Sequence, residues 1–134
     1  MQLTPFLTFD GNCREAMQFY RDCVGGNLYF QTVGDSETNE KLPDEIKNRI
    51  LHAVLTNEHF TLMATDLVSD NGLTEGNAVA LILTCKNSRE LYQCFEKLAD
   101  SATDQRLPEL NAFGMLIGNL TDKFGKYWLL HSPA

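Results

Sequence analysis

Asn12-Cys13-Arg14-Glu15-Ala16-Met17-Gln18 and Asn87-Ser88-Arg89-Glu90-Leu91-Tyr92-Gln93 are the two stretches whose reading decides the fold. They lie 75 positions apart and share Asn, Arg, Glu and Gln at matching places. In each, Asn stands three residues before Glu, the spacing of a capping box at a helix start. After the first, Cys13, Ala16, Met17, Tyr20, Cys23 and Val24 recur at helical spacing until Gly25-Gly26 stops the run. In the second, Leu91, Cys94, Phe95 and Leu98 form the apolar stripe of a helix from about Ser88 to Ala99.

The flanking segments correspond as well. A strand reading at Leu3 to Phe9, closed by Asp10-Gly11-Asn12, precedes the first helix, and one at Ala78 to Thr84 precedes the second. Leu28 to Val33 reads as a strand. Arg49 to Leu55 and Phe60 to Thr65 form a hairpin across Thr56-Asn57-Glu58-His59, and short strands follow the second helix. Residues 34 to 48 are polar and acidic, a surface loop with one helical turn near Asp44 to Lys47. Ser69 to Asn77, with Gly72 and Gly76, is the internal boundary. The pattern predicts a duplicated β-α-β-β-β unit, each copy under about 70 residues and too small to bury its sheet face alone. The 134 residues are then a single domain of two modules, about 1–68 and 77–134.

Composition narrows the function. Hydrophobic residues make up 43% of the 15.1 kDa chain and charged residues 22%, enough apolar content to build a core. Eleven Lys and Arg against 18 Asp and Glu leave a net charge of −7. That balance excludes nucleic acid and anionic membrane as expected partners, since both need clustered cations. No apolar run approaches the roughly 18 residues of a membrane helix. Met1-Gln2-Leu3-Thr4-Pro5 lacks the basic start of a signal peptide, and Cys13, Cys23, Cys85 and Cys94 form no CxxC pair. A cytoplasmic protein with reduced thiols is the expectation.

Phe6-Leu7-Thr8-Phe9-Asp10-Gly11-Asn12-Cys13-Arg14-Glu15-Ala16, running into Phe19-Tyr20 and Gly25-Gly26, resembles the PhnB-like family. That family belongs to the glyoxalase, bleomycin-resistance and dioxygenase superfamily, the vicinal oxygen chelate fold. Ile50-Leu51-His52-Ala53-Val54-Leu55, Leu62-Met63-Ala64-Thr65-Asp66 and Thr121-Asp122-Lys123-Phe124-Gly125 leading to Trp128 extend the resemblance over nearly the whole chain. The family's Trp-Gly before the last strand stands here as Phe113-Gly114. The resemblance implies an α+β fold in which two β-α-β-β-β modules pair into a curved half-open barrel. It also implies a homodimer. Enzymes of the superfamily hold a divalent metal through one ligand each from the first and last strands of both modules.

Matched to that pattern, the four ligand positions are Pro5, Met63, Ala80 and Leu130. None suits a hard divalent ion, so the expectation is a metal site lost and no cofactor. His52 sits in a strand, either as a half-buried hydrogen-bonded side chain or as a pocket acid or base. His59 lies in a turn, and His131 at a strand end. Cys13 at a helix start is a candidate low-pKa thiol without a partnering base. Asp35, Glu37 and Glu40 read as a solvated surface rather than a chelating cluster. Trp128 faces the concavity if Leu130 does, where it either stacks on a ligand or fills the barrel. Candidate pocket residues are therefore Pro5, Leu7, His52, Met63, Ala80, Phe113, Trp128 and Leu130. The functional expectation is a small-molecule-binding homodimer with substrate undefined; the alternative is a glyoxalase-type lyase or isomerase, or a dioxygenase-like enzyme, with a non-standard metal or acid-base site.

Overall fold

The computed structural model describes residues 1–35 and 42–134. Glu37 and Glu40 of the acidic loop lie outside the described residues. The chain divides into two compact units, Met1–Leu73 and Thr74–Ala134.

The first unit contains β1 (Phe6–Thr8), α1 (Cys13–Val24), β2 (Asn27–Thr32), a one-turn α2 (Asp44–Lys47), β3 (Ile50–Thr56) and β4 (Thr61–Thr65). Its sheet has the order β1-β4-β3-β2, with β1 parallel to β4 and the other pairs antiparallel. The second unit contains β5 (Leu81–Thr84), α3 (Ser88–Leu98), β6 (Asp104–Leu110), β7 (Met115–Thr121) and β8 (Tyr127–Pro133). Its order, β5-β8-β7-β6, repeats the first with β5 parallel to β8. The predicted β-α-β-β-β duplication is therefore present as topology.

Each helix lies on one face of its own sheet. On α1, Cys13, Ala16, Met17, Tyr20 and Cys23 are buried, one side of a helix at three-to-four-residue spacing. The Tyr20 ring lies 6.5 Å from that of Phe9, and Arg14 stacks over Phe30 at 4.8 Å. On α3, Leu91, Phe95 and Leu98 are buried. A Cβ on Gly118 would stand 3.1 Å from the Phe95 ring, so α3 packs onto the face of β7 on which Gly118 lies.

The two helix starts coincide in position but differ in chemistry. Asn87 accepts from the Glu90 N–H, and Glu90 accepts from the Lys86 N–H, a two-way cap. Asn12 makes no side-chain cap bond. The buried carboxylate of Asp66 takes its place, accepting from Gly11 N–H and Cys13 N–H at 2.9 Å each. An ionised acceptor at a helix N-terminus satisfies those donors more strongly than a neutral amide would.

Strand lengths depart from the sequence reading at both first strands. β1 starts at Phe6 rather than Leu3, and β5 at Leu81 rather than Ala78. Pro5 has no N–H to donate, although its carbonyl accepts from Met63. The three strands after α3 are seven residues each, longer than expected. No helix among the described residues is long and apolar enough to cross a membrane.

Candidate functional site

In a strand, successive side chains point to opposite faces, so one residue on each face decides the rest. Phe9 packs on Tyr20 of α1, which puts Leu7 and its partner Ala64 on the helix-covered side. The far side of the first sheet then carries Phe6, Met63, Val54 and Tyr29 as one cross-strand row. The next row holds Thr8, Thr65, His52 and Gln31. Phe6 and Tyr29 are 54% and 62% exposed, and the Phe6 and His52 rings lie 6.3 Å apart. Aromatic and thioether groups beside an imidazole make an apolar surface with one polar edge.

In the second sheet, Gly118 under Phe95 is paired with Leu130, so Leu130 and Trp128 belong to the helix-covered side. The far side carries Ile82, Leu129, Asn119 and Arg106 in one row, then Thr84, His131, Ile117 and Glu109 in the next. Thr84 Oγ1 and His131 Nε2 are 2.7 Å apart, a hydrogen bond that fixes the imidazole.

This register puts four of the expected positions on the helix-covered sides. Leu130 is fully buried in the core. Trp128 is 4% exposed and its indole N–H donates to Asp122 Oδ2 at 2.8 Å, so the ring is held in the core and does not face the far side. Leu7 lies on the helix side, and Pro5 alternates with Phe6 to that side too. The first strands are offset by one residue from the repeat of the helix starts. Asn12 and Asn87 are 75 positions apart, whereas Phe9 and Cys85, whose N–H groups make equivalent bonds to Thr65 and His131, are 76 apart. The β1–α1 turn of the first module holds an extra residue, and a one-residue slip in a strand exchanges its faces. Phe6 is thus equivalent to Ile82, Met63 to Leu129, and Ala64 to Leu130. Counting back from α1 could not reveal this; comparing strand parity with the helix-facing Phe9 would have.

His52 and Met63 do lie on one far face, in neighbouring rows. Ala80 precedes β5 and is exposed. Phe113 sits 90% exposed at the β6–β7 turn, where Asn111 accepts from the Phe113 and Met115 N–H groups. Phe6, Ile82, Leu129 and Thr84 are far-face residues that the sequence reading missed.

The chemistry of the remaining candidates follows from their surroundings. The Cys13 thiol is pushed up to about 12 by burial and by the neighbouring Asp66 carboxylate. Desolvation outweighs the helix N-terminus, and the residue is no nucleophile at neutral pH. Asp35 accepts from the Thr32 N–H, which lowers its carboxyl below the ordinary value. His59 lies in the β3–β4 turn, where its N–H and that of Phe60 donate to Asn57 Oδ1. Among the described residues no three His, Cys, Asp or Glu side chains group as a metal site would require. The paired first- and last-strand positions on the far faces, Phe6 with Met63 and Ile82 with Leu129, supply one thioether and no oxygen or imidazole donor. They do not fit the superfamily's divalent ion.

Comparison with known proteins agrees with this architecture. The family model described as 3-demethylubiquinone-9 3-methyltransferase matches residues 1–131. Protein PA1353 from Pseudomonas aeruginosa is 30% identical, with 99% of this chain and 98% of that chain covered and a TM-score of 0.85. The PhnB protein from Bacillus cereus is 24% identical over 98% and 99% of the two chains, with a TM-score of 0.76. At 14% identity and a TM-score of 0.65, a glyoxalase/bleomycin resistance protein from Albidiferax ferrireducens T118 shares the fold, with 98% of each chain covered. The match across residues 1–131 places the chain in the 3-demethylubiquinone-9 3-methyltransferase family, and its β-α-β-β-β repeat has the fold of the PhnB and glyoxalase/bleomycin resistance structures.

Proposed function

We propose that this protein is a homodimeric small-molecule-binding member of its family that works without the superfamily's divalent metal. One observation carries the reading: the first- and last-strand positions of the far faces hold Phe6, Met63, Ile82 and Leu129. These side chains favour apolar contact over coordination. Each face adds one imidazole in the adjoining row, His52 in the first module and His131 in the second. Such a surface binds by area and is oriented by a few hydrogen bonds.

The Thr84–His131 bond at 2.7 Å favours one second reading, metal-free acid-base catalysis at His131. The Thr84 hydroxyl orients the imidazole whichever of the two atoms donates, as a positioned general acid or base requires.

The test is melting temperature measured after chelation, then with Zn²⁺, Mn²⁺ or Ni²⁺, and then with a small-molecule panel that includes a methyl donor. Anything that binds only the native state raises the melting temperature by mass action. Shifts with organic ligands and none with metals support the proposal. A stoichiometric metal that stabilises the chain and is lost in His131→Ala or His52→Ala would overturn it.

A further inference from the structure

On the far face of the second sheet, we infer a binding site for an organic monoanion whose head is a carboxylate, taken by Arg106 and Asn119 with its apolar tail over Leu129 and Ile82. This deepens the small-molecule reading above and rests on it.

Arg106 on β6 and Asn119 on β7 are direct cross-strand partners, and Asn119 is in turn paired with Leu129 on β8. Paired side chains of one row stand on the same face about 5 Å apart. The Arg106 and Asn119 side chains thus rise from neighbouring points on the same face. Among the described residues neither has an ion-pair or side-chain hydrogen-bond partner. Arg89, by contrast, is an exposed cation on a helix with no such row beside it. A planar guanidinium offers parallel N–H donors that match a carboxylate in bidentate fashion, and the amide adds a third.

The same row continues into hydrocarbon. Leu129 is half-buried and Ile82, next in line on β5, is 59% exposed. An apolar tail lying across them covers surface that water otherwise wets. His131, held by Thr84, stands in the adjoining row beside that floor. The order from β6 to β5 is charge, amide, hydrocarbon, which is the order of groups in a fatty or aryl acid.

Local charge selects the head group. Asp104 precedes Arg106 by two residues on the same strand, and Glu109 follows beyond the irregularity, so β6 carries an acid on either side of the cation. With a net charge of −7 they penalise a dianion more than a monoanion. A carboxylate suits the position; a phosphate or phosphonate dianion does not.

Three probes separate the possibilities: hexanoate, hexanol and inorganic phosphate at pH 7.5, titrated into the full chain and followed by amide NMR. Hexanoate is expected to shift the amides of Asn119, Leu129 and Ile82 and to bind more tightly than hexanol. Arg106→Gln should weaken hexanoate about tenfold, the loss of one charge-assisted contact, and leave hexanol unchanged. Arg89→Gln should change neither. Equal binding of hexanoate and hexanol, unmoved by Arg106→Gln, would overturn the carboxylate site and leave small-molecule binding standing. Phosphate binding tighter than hexanoate would overturn the monoanion assignment. Absence of any shift from hexanoate and hexanol at millimolar concentration would overturn the site itself, and the melting-temperature panel then decides the wider reading independently.

Discussion

Asp66 is 1% exposed, and its carboxylate accepts three backbone N–H groups, from Gly11, Cys13 and Ile50, each at 2.9 Å. It ties the start of α1 to β3 and β4 in one residue. Asp66→Ala strands three donors where water enters poorly, and urea denaturation should show a loss of about 3 kcal/mol. Asp70→Asn, on the exposed boundary, should change stability by less than about 0.5 kcal/mol. Asp122 plays a similar part in the second module, accepting from Phe124, Lys126 and the Trp128 indole. The buried thiols give a pH signature. Cys13 and Cys85 are both pushed up to about 12 from an ordinary 9.0, mainly by burial. Below pH 9 the folded and unfolded thiols are alike protonated, so their share of stability is fully present. Above it the unfolded chain releases protons that the folded chain keeps, and stability falls as pH rises toward 12. Melting curves between pH 9 and 11 should show that fall, shallower in Cys13→Ala. Asp66, Asp122 and Trp128 were legible in the sequence only as residue types; their partners are up to 55 positions away, beyond any local spacing rule.

The helices illustrate where pattern reading succeeds. The apolar stripes of α1 and α3 were written at 3.6-residue spacing, and the buried side chains are largely those of the stripes. Strand faces were less legible, because β1 and β5 are three and four residues long, too short for parity to identify the buried side. The packing of α3 on β7 is close. At Gly118 a Cβ would meet Phe95 and Pro108 at 3.1 Å each and the Arg106 carbonyl at 3.3 Å. Gly118→Ala should therefore lower stability by about 1–3 kcal/mol, because overpacking forces neighbours out of place. Combining it with Phe95→Leu should recover part of that loss. A double-mutant cycle with no coupling would show that the helix does not bear on this glycine.

At the scale of the molecule, four edge strands and exposed Leu107, Leu110 and Phe113 (66%, 63% and 90%) leave surface that a second copy could cover. Light scattering at micromolar concentration is expected to give the mass of two 15.1 kDa chains. A stable monomer would remove the homodimer from the proposal. The sequence by itself determined the duplication, the helix positions, the turn at Asp44–Lys47 and the family, because capping residues, apolar periodicity and glycine stops act over a few positions. Only the tertiary structure decided which strand residues face away from the helices. Strand pairing puts Phe6, Met63, Ile82 and Leu129 on the far faces and turns Leu7 to the helix side, with Trp128 and Leu130 in the core. A strand repeats every two residues, so a one-residue difference in register reverses every side chain, and that parity is set by contacts such as Phe9 on Tyr20 and Gly118 under Phe95.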